Sequence, residues 1–117
     1  MRDFKNYTVW EKAHRLTVKV YAATVGFPRE EWYGLRSQIR RSCVSVPANI
    51  AEGCGRGSDA DFARFLHISA GPANELQYHL LLARDLGFLE RSKHAKLDTQ
   101  VDTVKGLLAT LIRKGQS

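Results

Sequence analysis

Glu11 and His14 are the first residues whose types and spacing could do chemistry, because a carboxylate and an imidazole three positions apart share one face of a helix. Helical bundles build di-iron centres from two such Glu-x-x-His pairs plus further inward glutamates. The other candidate, Glu75 with His79, is spaced by four, and Glu11 falls in a first helical turn where capping already claims it. Cys43 with any of His14, His67, His79 or His94 has the types of a nucleophile and its base, but no local signature accompanies them. Cys43 and Cys54 sit on or just past one predicted helix, roughly 16 Å apart at 1.5 Å rise per residue, so they should not bridge. Neither belongs to a Cys-x-x-Cys pair, which leaves zinc and thioredoxin-like sites without support. Gly53-Cys54-Gly55-Arg56-Gly57 has the composition of a phosphate loop, yet no strand precedes it and no Gly-Lys-Ser/Thr follows; a helix stop explains it better. These residues give no catalytic group, no metal site and no cofactor, and the expectation is a protein that is not an enzyme.

Charge points outward more clearly. The formal net charge is +6, from 18 Lys and Arg against 12 Asp and Glu. A basic balance of this kind favours an anionic partner such as RNA or DNA. Lys12, Arg15 and Lys19 follow a three-then-four spacing on one side of the first predicted helix, while Arg36 and Arg40 lie one turn apart on the second, with Arg41 beside them. They form either a solvated face or a phosphate-tracking surface whose binding would weaken with salt. Tyr7, Tyr21, Tyr33 and Tyr78 have rings that could stack on bases, but no RNA-module signature accompanies them. Ser42, Ser45, Asn49 and Glu52 lie along one side of the second helix. They are either solvent-facing or a polar seam between subunits, with Glu52 paired to an arginine.

The elements that position these residues read as helices throughout. Thr8-Val9-Trp10-Glu11 has capping-box spacing, and Val9, Ala13, Leu16, Val20 and Ala23 carry an apolar stripe toward Phe27-Pro28, ending the first helix near Val25. A second helix is expected to open at Glu30 and Glu31, with Trp32, Leu35, Ile39, Cys43, Val46 and Ile50 as its stripe. Pro47 removes the N–H that would bond the Cys43 carbonyl, so a kink or a restart capped by Ser45 is expected there. Ser58 caps a third helix, the longest, which Pro72 should bend about halfway. After Leu86-Gly87-Phe88-Leu89, Ser92 caps a fourth helix with Leu97, Val101, Val104, Leu108 and Leu111 in step, ending at Arg113-Lys114-Gly115. Residues 1–117 therefore read as one all-α domain, an antiparallel up-down-up-down four-helix bundle kinked at Pro47 and Pro72. No apolar run reaches the roughly 20 residues that span a bilayer, and Met1-Arg2-Asp3-Phe4-Lys5-Asn6 lacks a signal-peptide core, so no membrane role and a cytoplasmic location are expected.

Several motifs also carry a resemblance. Phe4 with Val9-Trp10, Phe27-Pro28, Tyr33-Gly34-Leu35, Gln38-Ile39-Arg40-Arg41, Ser45-Val46-Pro47-Ala48-Asn49-Ile50-Ala51-Glu52-Gly53, then Phe62, Arg64-Phe65-Leu66 and Glu75-Leu76 cover nearly the whole chain. With them the chain resembles the bacterial four-helix-bundle proteins encoded in intervening sequences of 23S ribosomal RNA genes, the S23 ribosomal-protein-like family, relatives of the accessory variability protein of diversity-generating retroelements. Pro72 departs from that pattern, where serine or a similar residue is usual, and this bears on the straightness of the third helix rather than on the fold. The resemblance implies a homopentamer, a ring of subunits around a central channel. It also implies a basic surface that in the retroelement relatives engages nucleic acid and a reverse transcriptase, and it implies no enzyme. The functional expectation is a non-catalytic oligomer binding structured RNA through Lys12, Arg15, Lys19, Arg36, Arg40 and Arg41, with Ser45, Asn49 and Glu52 at a subunit interface. The alternative is a structural or protein-interaction scaffold with no nucleic-acid role.

Overall fold

The computed structural model describes residues 2–116. Four helices account for most of them: α1 (Thr8–Thr24), α2 (Leu35–Cys54), α3 (Asp59–Asp85) and α4 (Arg91–Gln116). Two 3-10 turns, Phe4–Asn6 and Arg29–Glu31, precede α1 and α2, and no strand occurs among the described residues.

The chain forms these helices largely where periodicity places them, with three differences at their starts. The Thr8–Glu11 capping box does not form: Tyr7 is the N-cap residue and makes no side-chain cap bond, so the Thr8 hydroxyl lies one position too late. Glu11 turns instead to Arg15, 2.8 Å away. The second helix does not open at Glu30. Arg29–Glu31 close a separate 3-10 turn, Gly34 takes a non-helical conformation, and the Glu31 carboxylate accepts from the Leu35 N–H at 3.0 Å. The acid thus does serve a helix N-terminus, but from outside the helix. Trp32 consequently lies before α2, its Nε1–H donating to the Phe27 carbonyl at 3.1 Å. Ser92 does not cap α4, because helical bonding already begins with the His94 N–H on the Glu90 carbonyl at 2.8 Å.

The ends between α2 and α3 and after α3 follow from their residue types. Gly55 closes α2, and Ser58 accepts the Asp61 N–H at 3.1 Å as N-cap of α3. Gly87 takes φ +82, a left-handed conformation that only glycine adopts readily. That turn lets the Phe88 N–H reach the Ala83 carbonyl at 2.9 Å and sets the Phe88 ring against Phe27.

α2 continues through Pro47 and α3 through Pro72. The Cys43 carbonyl that Pro47 leaves without its helical donor faces Thr17 of α1, whose Oγ1 lies 3.4 Å from it while donating to Ala13 O at 2.8 Å. The missing helical bond is thereby partly met from the neighbouring helix.

Each helix packs on two others, in the cycle α1–α2–α3–α4–α1. Thr24 meets Arg40 and Thr17 meets Cys43, while Val46 meets Ser69 and Gly53 meets Phe65, so residue numbers fall on one helix as they rise on the next. That is the sense of antiparallel pairs. Inside lie Val9, Leu16, Val20, Ile39, Ile50, Leu66, Leu76, Leu80, Val101, Val104 and Leu108, all nearly or fully buried. Burying each such side chain is worth roughly 1.5–3 kcal/mol, so the shared core holds the four helices in place.

Candidate functional site

Three of the residues that suggested catalysis, Glu11, His14 and Cys43, are engaged elsewhere. His14 stacks on Trp10 with ring centroids 5.0 Å apart, and Glu11 is paired to Arg15. Cys43 is buried and its Sγ lies 3.5 Å from Thr17 Oγ1. Burial pushes its thiol up to about 11, with the Thr17 hydrogen bond acting in the other direction. Burial also raises Cys54, Asp3 adding to the effect and Arg2 opposing it. Both cysteines are free thiols, and such groups are poor nucleophiles near neutral pH. Among the described residues no cluster of three or more His, Cys, Asp or Glu is placed to hold a metal ion.

The basic residues divide into two sets. On α2, Arg36 lies over the Trp32 ring at 4.6 Å, and Arg40 lies over Tyr21 at 4.5 Å while donating to Thr24 Oγ1 at 3.0 Å and Tyr21 O at 3.1 Å. These two half-buried arginines tie α2 to the end of α1 and to the turn before α2. Arg41 faces solvent.

On α1 the situation differs. Lys12, Arg15 and Lys19 line a cleft of about 160 Å³ with Leu16, and across it α4 supplies Gln100 and Thr103. Lys19 and Gln100 also border an adjoining cleft of about 350 Å³, whose other walls are Ala22 and Ala23 of α1 and Lys93, Lys96 and Leu97 of α4. The two clefts make one groove along the α1–α4 seam with five cationic side chains on its walls. Alanines at 22 and 23 are too short to close it. Among the described residues Lys12, Lys19, Lys93 and Lys96 have no ion-pair partner, and only Arg15 has one, on the exposed Glu11. The acids of α4 are turned the other way: Asp98 and Asp102 both accept from Gln77 of α3, whose Oε1 takes Lys105. The groove therefore carries positive charge with little local compensation.

Lys93, Lys96, Gln100 and Thr103 went unnoticed in the sequence, although their three-four-three spacing on the fourth helix repeats the signal read on the first. What one helix could not reveal is that the two rows face each other.

Ser45 and Asn49 of α2 are half-buried and bonded to one another, Asn49 Nδ2 donating to Ser45 O at 2.8 Å and to Ser45 Oγ at 3.0 Å. Glu52 is exposed and paired with Arg56 one turn on, at 2.9 Å, while Ser42 is buried and donates to Ile39 O. Close by, Gly53 has no room for a side chain: a Cβ there would stand 2.8 Å from Phe65 Cβ.

Comparison with known proteins matches residues 5–110 to the family model described as 23S rRNA-intervening sequence protein. Among solved structures, the chain is similar to a protein of unknown function from the S23 ribosomal protein family of Bacteroides thetaiotaomicron, at 28% sequence identity and a TM-score of 0.81. The match covers 90% of this chain and 98% of that one. A search of curated proteins gave no match.

Proposed function

The chain belongs to the 23S rRNA-intervening sequence protein family, and from that membership we propose that it is a non-catalytic, cytoplasmic nucleic-acid-binding protein whose ligand is structured RNA. The observation that carries this reading is the α1–α4 groove, where five cations face one another with a single exposed carboxylate nearby. Phosphates entering such a groove release condensed counterions, which supplies affinity without sequence information. Arg41, with Arg36 and Arg40 beside it, offers a second and smaller basic flank. The test is fluorescence anisotropy of a labelled RNA hairpin titrated with the protein at increasing salt. Binding at low salt that weakens steadily is expected; binding indifferent to salt, or none at low salt, would remove the reading.

A second reading, that the protein is an assembly scaffold, has its own support. α3 leaves Ile68, Tyr78 and Leu81 exposed. We propose that the chain forms a homo-oligomer, five copies being the number the resemblance implies, with Ser45, Asn49 and Glu52 at the contact. Small polar side chains there permit close approach. Sedimentation equilibrium decides it: a monomer at micromolar concentration contradicts the assembly, and an oligomer that dissociates on Glu52→Arg supports it.

A further inference from the structure

The larger cleft of the α1–α4 groove has a feature that phosphate binding alone does not use. Its floor is apolar, formed by Ala22, Ala23 and Leu97, and Gln100 Oε1 is buried with no hydrogen-bond partner among the described residues. A buried acceptor left unmet costs roughly 1–3 kcal/mol. Gln100 is only half-buried and lines the cleft, so a turn of its side chain brings that acceptor to a donor entering there and recovers the penalty. At about 350 Å³ the cleft falls in the lower range of small-ligand pockets. Lys19, Lys93 and Lys96 stand around its rim with the α1 cations continuing beyond them.

We propose that this cleft receives one unpaired nucleotide of an RNA strand. The base lies edge-in with its face on Ala22, Ala23 and Leu97. One of its ring or exocyclic N–H groups donates to Gln100 Oε1, and the flanking phosphates lie on Lys19, Lys93 and Lys96. The chemistry fits the ligand class on three separate counts. Bases are flat and largely apolar on their faces, they carry N–H donors on their edges, and they arrive attached to phosphates. Paired bases in an A-form helix cannot reach such a cleft, whereas unstacked bases in loops and bulges can. An acidic peptide would satisfy the lysines and could offer a backbone N–H as well. It brings no flat apolar face held between two anionic groups, however, and a polyglutamate competitor separates the two. The proposal rests on the nucleic-acid reading and narrows it from structured RNA in general to RNA with a splayed-out base.

The experiment compares two hairpins of equal length bound to the full chain, one fully paired and one carrying a single bulged 2-aminopurine, by anisotropy and by 2-aminopurine fluorescence. The bulged hairpin is expected to bind about tenfold more tightly, the worth of one hydrogen bond to a buried partner plus the base's burial, with its fluorescence changed on binding. Gln100→Leu and, separately, Ala22→Leu, which fills the cleft from an exposed position, should each bring the ratio of the two affinities close to one. Circular dichroism of each variant confirms that the helices persist. Equal salt-dependent affinity for both hairpins in the unsubstituted protein overturns this proposal and leaves the broader reading standing. No binding to either overturns both. A preference that survives both substitutions also overturns it, because the base then lies elsewhere, and so does displacement of the bulged hairpin by a polyglutamate peptide but not by a free mononucleotide.

Discussion

The α2–α3 seam and the α1–α4 seam are built from helices of similar type, yet they differ in what fills them. Between α2 and α3 the approach is so close that Gly53 is required: its missing side chain leaves room for Phe65 and Phe62. Deeper in the same seam the buried Ser69 hydroxyl donates to the Val46 carbonyl at 2.6 Å. Between α1 and α4 the facing residues at 22 and 23 are alanines, the polar groups are long and charged, and an open groove remains. One seam uses small residues to bring backbones together, and the other uses them to keep a channel open between flexible cations. A small residue where two helices meet therefore says little until the partner across it is known.

The largest effect expected is at the closed seam. Gly53→Ala should destabilise the fold by about 2–3 kcal/mol, the usual cost of overpacking, because both atoms nearest the new Cβ belong to core phenylalanines. On α4 the same change at Gly106, which has open space around it, should instead stabilise by about 0.5–1 kcal/mol through helix propensity. Urea unfolding of the two variants reads both signs, and equal effects would contradict the close approach at Gly53.

Next in size is a pH effect from the packed side of α2. The Cys43 thiol is raised from 9.0 to about 11 in the folded protein, so above pH 9 the unfolded chain gives up this proton more readily than the folded one. Stability from this group is fully present below pH 9 and is lost as pH rises through 11, by about 2 kcal/mol at the top of that range. The difference in unfolding free energy between the protein and Cys43→Ala, followed from pH 8 to 11, should shrink by that amount; a constant difference would contradict the assigned burial effect.

Ser69→Ala is smaller, about 1 kcal/mol for a buried hydrogen bond, and thermal unfolding would show it. At the open seam Ala22→Leu should move stability by less than about 0.5 kcal/mol, as exposed substitutions do. A large decrease there would mean that the groove is closed in solution.

The sequence displayed the core of this bundle plainly, since the stripes through Leu16, Ile39, Leu76 and Val101 are repeated apolar steps that need no knowledge of a partner helix. Ser58 and Gly87 were equally legible, because their chemistry acts within a few residues. Helix starts were less so. Glu31 caps α2 from the preceding turn, and the distance along the chain between a cap and its helix is not written in a motif. The candidate site was half visible: Lys12, Arg15 and Lys19 announce themselves by spacing, but the groove exists only because Lys93, Lys96 and Gln100 come from the far end of the chain. Arg36 and Arg40 carry the same signal and are employed differently, because Trp32 and Tyr21 happen to lie beneath them.

Whether the open α1–α4 seam is the nucleic-acid face is decided by its salt dependence. The logarithm of hairpin-RNA affinity is measured against the logarithm of salt concentration for the protein and for a variant with Lys12, Lys19 and Lys96 all changed to alanine. The slope is expected to become shallower by about 2–3, close to one for each phosphate no longer neutralised, with the unfolding free energy nearly unchanged. An unaltered slope in the folded variant would place the binding face elsewhere and contradict the assignment of this seam.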